Sequence, residues 1–317
     1  MLTQTPANTL MFPATLAFVN PHISRRSFLG VSVALAGALR LGAADPAFPF
    51  PTDVPHRLSV STYPFRSVIA KTGKLTLPEF AATVVDKFGV YGIEPWSRHF
   101  DSIEPTYVHS LRDAFDKAKL QVVNIPCDVN VRPCGTPEQQ TFAQETWRKW
   151  IDGAVILNSP GIRIHVEPAK TGDFMPLAVD ALKRISDYSS QKNIVMNVEN
   201  DSPKSEDPAL ILSILEKVGS PWVRSLPDFC NSMQIHDDQD YNAKALASLF
   251  PYAYNISHVK DVEIVGGKSL TVDVDRIFKI ATAANYKGFF SMETEGSLDP
   301  YVGSRKLIAA ALKNLQS

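Results

Sequence analysis

Cysteine is scarce: the chain of 317 residues carries three, at positions 127, 134 and 230. An odd and small number excludes a disulfide framework as the basis of the fold. Cys127 and Cys134 either pair in an oxidising compartment or stay free and buried. An excess of one charge is also missing, since 32 basic and 33 acidic side chains leave a formal net charge of −1. With no basic stripe and no net field, binding to nucleic acid is not expected. Long apolar runs are absent too. The run from Phe28 to Leu39 is too short to span a bilayer and ends at Arg40. No glycine-rich turn follows the first strand candidate, which runs into Tyr63-Pro64-Phe65-Arg66-Ser67. That excludes a dinucleotide-binding turn there. Short repeats and low-complexity tracts are likewise lacking.

The N-terminus reads as a targeting segment. Ser24-Arg25-Arg26-Ser27-Phe28-Leu29-Gly30 opens the apolar run, and the small residues Gly42, Ala43 and Ala44 follow it. That is the order of charged, apolar and cleavage regions in an export signal. It resembles the twin-arginine signal of bacterial export. The resemblance implies that residues 1–44 are removed, that the twin-arginine export machinery is a partner, and that the mature chain starts near Asp45. It also implies folding before export and a periplasmic or otherwise exported location. Met11 is an alternative start, because the segment before the arginines is long. No cysteine lies near the cleavage region, so no lipid anchor, and no stable membrane anchor, is expected.

After a proline-rich linker, 45–56, apolar strand-like runs alternate with runs of helical period. The strand candidates are 57–62, 91–96, 121–126, 161–166, 193–199, 223–228, 252–258 and 288–293. Helix candidates include 77–88, 174–191, 208–218 with Pro208 in its first turn, and 304–315. Alternating βα units predict a parallel sheet. Eight of them over 57–317 predict a single (β/α)8 TIM barrel of the α/β class rather than an open doubly wound sheet. The stretch 262–275, with Gly266-Gly267, predicts a small hairpin inserted after the seventh strand.

In such a barrel the functional groups gather where strands end. Glu94, His165, Glu199, Asp228, His258 and Glu293 end six of the candidates. Polar groups at the end of buried strands are costly unless paired. Glu199, Asp228, His258 and Glu293 lie on four successive strands. Three carboxylates and one imidazole suit a divalent ion such as Mn, Co, Mg or Zn.

"NVEN", "LPDFCN", "ISHVKD" and "METEG", in this order, resemble the sugar phosphate isomerase/epimerase family of xylose-isomerase-like barrels. The resemblance spans nearly the whole mature chain. It implies metal ligation by Glu199, Asp228, His258 and Glu293, with Glu199 and Glu293 also as catalytic bases. It further implies a carbohydrate substrate and a reaction through an enediolate. The usual strand-six motif of that family is Asp-x-x-His, whose His touches substrate. Here Asn231 stands in that place, as in a branch whose motif reads Pro-Asp-Phe-Gly-Asn. An Asn hydrogen-bonds but carries no proton. Cys230, in the glycine position, reads as a small apolar filler.

Other residues complete the candidate site. Lys260, two past His258, shares its face and either steadies an oxyanion or is a solvated loop lysine. His165 is a substrate-binding or proton-carrying group, with a buried core histidine as the alternative. Glu94 binds a sugar hydroxyl or holds Lys260. Arg163 shares parity with His165 and is expected to pair with a carboxylate. Trp96, Tyr63 and Phe65 form an apolar wall or simply pack in the core. The activity expected is that of a metal-dependent sugar isomerase or epimerase. A 3-keto-glycoside lyase or dehydratase, and a non-catalytic metal-containing sugar-binding barrel, are the alternatives. A nuclease of the related endonuclease type fits poorly with one His ligand and a neutral surface. A homo-oligomer is compatible with all of these.

Overall fold

The apolar runs become short strands buried on both faces, which is why they show no alternation of apolar and polar residues. The computed structural model describes residues 44–69, 74–166, 174–201, 206–296 and 298–316. The expected export signal, Ala44 apart, lies outside them. The strands are β1 (Leu58–Ser61), β2 (Gly92–Glu94), β3 (Gln121–Val122), β4 (Ile125–Pro126), β5 (Gly161–Ile164), β6 (Val195–Glu199), β7 (Val223–Leu226), β8 (Ile256–Val259), β9 (Val262–Val265), β10 (Lys268–Thr271) and β11 (Phe289–Met292).

Two parallel sheets build the ring, in the orders β3-β2-β1-β11-β8 and β4-β5-β6-β7. β3 and β4 are halves of the single strand expected at 121–126. The backbone N–H of Val123 still donates to Ile93 (3.1 Å), whereas that of Cys127 donates to Arg163 (2.9 Å). The segment thus leaves one neighbour and joins the other, linking the sheets. On the opposite side, single bridges between Ser225 and Ala253 and between Asp228 and His258 tie the β7 and β8 segments together. The result is the expected TIM barrel. The antiparallel pair β9 and β10 is the expected hairpin, although 274–275 already belong to the helix Val274–Ala283, which Asp273 caps.

Local chemistry sets the helix ends. Phe174–Gln191 and Pro208–Val218 occupy the expected ranges. Asp207 caps the second, and Gly219 at φ 63° ends it in the left-handed conformation that glycine adopts without strain. The helix expected at 77–88 is instead two, Leu77–Ala81 and Val84–Phe88. Between them the Thr83 hydroxyl donates to the Phe80 carbonyl at 2.8 Å, a local bond that competes with helix continuation. The last helix starts earlier than expected, at Pro300, because Asp299 accepts from the amides of Tyr301 and Val302. Tyr252, expected in a strand, lies in a 3-10 turn, Phe250–Tyr252. No helix among the described residues is long and apolar enough to cross a membrane.

The proline-rich stretch is not a free linker. Val54–Arg57 forms a helical turn, and the Arg57 guanidinium, expected in the first strand, donates to the carbonyls of Tyr286 and Gly288 at 3.1 Å. Upstream, Phe48 and Phe50 pack on a small apolar cluster of Val123, Leu226, Ile256 and Phe289. Their rings lie 6.0 and 5.7 Å from that of Phe289. The strap therefore covers the end of the barrel where strands begin. Phe50→Ala should cost about 2 kcal/mol, below the ~3–5 kcal/mol of a fully buried Phe because this ring is half-buried. Urea unfolding of the mature chain checks this.

Candidate metal centre and adjoining cavity

Glu94 and Glu199 close β2 and β6, His258 lies within β8, and Asp228 and Glu293 follow β7 and β11. All five are nearly inaccessible, Glu293 the most exposed at 4%. Because parallel strands deliver their C-terminal ends to one rim, residues distant in sequence meet there. One ligand-type atom from each of Glu199, Asp228, His258 and Glu293 lies within 4.8 Å of the others. His258 Nδ1 is 2.8 Å from Glu199 Oε1, 3.0 Å from Glu293 Oε2 and 3.9 Å from Asp228 Oδ2.

Hydrogen bonds hold Asp228 by one oxygen only. Oδ1 accepts from the backbone amides of Cys230 (2.8 Å) and Asn231 (3.0 Å). Oδ2 is buried and makes no hydrogen bond, with Lys260 Nζ 3.3 Å away. The ammonium offsets part of the cost of burying that oxygen, about 1–3 kcal/mol for one with no partner at all.

Charge in the cluster is unevenly shared. Burial pushes the Asp228 carboxyl up to about 7, against the pull of the Lys260 ammonium. Burial also opposes ionisation of Glu199 and Glu293. His258 and Arg163 nevertheless hold Glu199, and His258 and Lys260 hold Glu293, below the ordinary carboxylate range. Burial alone would lower His258, but Glu293, Glu94 and Glu199 keep it well above a usual imidazole. Crowded carboxylates, one oxygen of which makes no hydrogen bond, with an imidazole among them match the donor set of a divalent cation.

Lys260 is not a solvated lysine. It is 6% exposed, and its Nζ lies 3.3 Å from Glu293 Oε2 and donates to Asn231 Oδ1 at 3.2 Å. Burial would favour the neutral amine, yet Asp228 and Glu293 hold it charged. Asn231 connects the parts: its amide N–H binds Asp228, its Oδ1 binds Lys260, and its Nδ2 reaches Glu199 Oε1 at 3.5 Å. Cys230 is fully buried in the apolar core, and burial pushes its thiol well up. Cys127, Cys134 and Cys230 are all free.

Glu94 does not hold Lys260, whose partners are Asp228, Glu263, Glu293 and Asn231. It is fully buried, and its Oε1 lies 2.9 Å from His258 Nε2 and accepts from Asn124 Nδ2 at 2.9 Å. A carboxylate on the far nitrogen fixes the ring so that Nδ1 faces the cluster. Behind it Asn197 donates to Asn124 (3.1 Å) and Asn255 (3.0 Å), a buried amide layer between the cluster and the apolar plug. Glu94→Gln keeps the volume but should weaken divalent-metal affinity about 10–100-fold, measurable by calorimetric titration.

A second polar group adjoins the first. Arg163 spans the two: Nε is 3.1 Å from Glu199 Oε2, and Nη1 is 2.5 Å from Asp128 Oδ1. His165 Nε2 lies 3.0 Å from the same Asp128 oxygen and also meets Arg163 Nη1. The other Asp128 oxygen accepts from Trp96 Nε1. Burial would raise Asp128, but Arg163 and His165 hold it well below the usual carboxylate range. A cavity of about 450 Å³ opens here, lined by Arg98, Asp128, Asn130, Trp147 and His165 among others, and by none of the four cluster residues.

Trp96 meets Tyr63 edge-on at 5.1 Å. Phe65 does not join that wall; its ring packs in the core 4.6 Å from Phe80 and 5.0 Å from Tyr301. Sequence reasoning missed Asp128. It stands two residues past Pro126, the offset that separates Asp228 from Leu226, so extending the strand-end rule by two positions finds it.

The model of the xylose isomerase-like TIM barrel family matches residues 82–317. The chain belongs to that family. Solved structures similar to this xylose isomerase-like barrel include a family protein from Mycobacterium smegmatis in complex with magnesium, 15% identical over 82% of this chain and 98% of that one, with a TM-score of 0.64. D-allulose 3-epimerase from Methylomonas sp., in complex with D-allulose, is 16% identical over 86% and 99% of the two chains, with a TM-score of 0.64. The 3-keto-D-glucoside 4-epimerase of E. coli is 14% identical over 81% and 99%, with a TM-score of 0.63. At such identities the likeness is one of fold. No curated protein sequence matches the chain.

Proposed function

We propose that this protein is a divalent-metal-dependent sugar isomerase or epimerase that works through an enediolate. The observation that carries the reading is the buried ring of Glu199, Asp228, His258 and Glu293 at the strand-end rim of the barrel. A divalent ion held by these four would supply positive charge for the oxygens of an enediolate. Glu199 and Glu293 come from β6 and β11 and approach His258 Nδ1 from separate strands. One of them takes the proton from the carbon beside the carbonyl. Its return to the neighbouring carbon isomerises the sugar, and return from the partner carboxylate on the other face epimerises it. Charged Lys260 and the Asn231 amide hydrogen-bond substrate oxygens, and Trp96 with Tyr63 flanks the sugar ring.

The neighbours named for D-allulose and 3-keto-D-glucoside support a polyhydroxy carbonyl substrate. The export signal expected from Arg25 and Arg26 supports a periplasmic setting, where free or oxidised sugars and glycosides are met rather than sugar phosphates.

Exchange in heavy water tests the reading. With Mg or Mn added, the protein should place deuterium on the carbon beside the carbonyl of at least one free ketose or 3-keto-glucoside. No incorporation across that panel would leave a sugar-binding barrel instead.

A further inference from the structure

Two carboxylates in the ring suffice for moving one proton between carbons, so His165 is surplus to that chemistry. It belongs neither to the ring nor to the core, with a side chain 24% exposed and facing the 450 Å³ cavity. Asp128 engages its Nε2 at 3.0 Å, where Arg163 Nη1 also meets it, and Asp128 is itself fixed by Arg163 and Trp96. That leaves Nδ1 as the nitrogen for a ligand. An imidazole oriented by a carboxylate is the usual build of an acid–base histidine. Arg163 stands between this pair and Glu199, so His165 meets a different substrate atom from the one the ring deprotonates.

Resting on the isomerase/epimerase reading, we propose that His165 is a third acid–base group, that the cavity seats a leaving alcohol, and that the substrate class is keto-glycosides bearing that alcohol β to the carbonyl. A ring carboxylate takes the proton from the carbon between carbonyl and glycosidic carbon. The C–H electron pair becomes the new C=C bond. The glycosidic C–O bond breaks with its electrons on oxygen, and His165 gives that oxygen a proton. The products are an unsaturated keto-sugar and a free alcohol. Nothing is oxidised or reduced overall, and solvent resets both groups. Arg98 and Asn130 offer hydrogen bonds to the departing group, and Val129 and Val131 an apolar wall. The volume lies within the range of small-molecule sites, about 300–1,000 Å³.

The test compares two 3-keto-glucosides with the metal-loaded protein, one carrying methanol and one carrying 4-nitrophenol. Methanol departs poorly without a proton, whereas nitrophenolate needs none. His165→Gln should slow methanol release at least 100-fold more than nitrophenol release, the scale of general acid catalysis. Equal slowing of both would overturn the proposal, since a structural role does not depend on the leaving group. Asn130→Phe, which fills the cavity from a surface position, should raise KM for both glycosides by about tenfold or more while KM for a free keto-sugar stays put; unchanged glycoside KM would overturn the seat of the alcohol. If the wild-type protein exchanges deuterium into these substrates but releases no alcohol, this inference fails and the isomerase/epimerase reading stands. If it neither exchanges nor releases with these glycosides, and exchanges deuterium into no free ketose either, that reading has failed as well.

Discussion

Asp228→Asn should abolish the divalent-metal binding proposed for the ring and leave the barrel folded. The substitution preserves what the backbone needs, because an Asn oxygen can still accept from the amides of Cys230 and Asn231 as Asp228 Oδ1 does. It replaces Oδ2, which makes no hydrogen bond, with an amide NH2. That group donates where a cation requires an acceptor, and it faces the Lys260 ammonium now 3.3 Å from Oδ2. Loss of an outer partner such as Glu94 is worth about 10–100-fold in metal affinity. Loss of a direct ligand should exceed 100-fold, with activity falling at least as far. Metal analysis after desalting, beside far-ultraviolet circular dichroism for the fold, reads both halves. One equivalent of metal retained in the variant would remove Asp228 from the ligand set.

The largest effect on stability is expected at Arg163. Its side chain is 5% exposed and sits between Asp128 and Glu199, themselves 17% and 3% exposed. Arg163→Met keeps much of the packing and takes from buried Glu199 and partly buried Asp128 the guanidinium they share, leaving them His258 and His165. Breaking a buried pair in this way costs about 3–5 kcal/mol. Both carboxyls are depressed in the folded protein. Their pairing therefore stabilises fully above the unfolded carboxylate value of about 4 and is lost as pH falls through the lower folded values. Urea unfolding of the metal-free protein at pH 7 is the measurement. With saturating Mg the deficit should shrink, because the ion offsets the Glu199 charge. A deficit below 1 kcal/mol in the metal-free protein would mean that the pair does not support the fold.

Much of the architecture is legible in local pattern. Eight apolar segments at regular spacing, each bounded by turn residues, carry the barrel. The helix Pro208–Val218 is announced by Asp207, Pro208 and Gly219. The four cluster residues are legible because each puts a charge at the end of an apolar run, where it is costly without a partner. What escapes the local pattern depends on contacts between distant parts. Residues 121–126 look like one strand, and only the change of partner from β2 to β5 divides them. Residues 45–56 look like a linker, and only the plug formed with Phe289 makes them part of the core. Phe65 and Trp96 are equally plausible wall residues in sequence, and packing sends one inward.

The sequence by itself determined the alternation of strands and helices, the parallel barrel, and the choice of three carboxylates and one imidazole at the strand ends. These follow from the period of apolar residues and from the cost of burying charge, both properties of short segments. Only the tertiary structure decided that Glu94 steadies His258, that Asn231 joins Lys260 to Glu199, and that Asp128 gathers Arg163, His165 and Trp96 at the wall of a cavity. A side chain's partner is fixed by which strand ends the closed barrel brings together, and spacing along the chain carries no record of that.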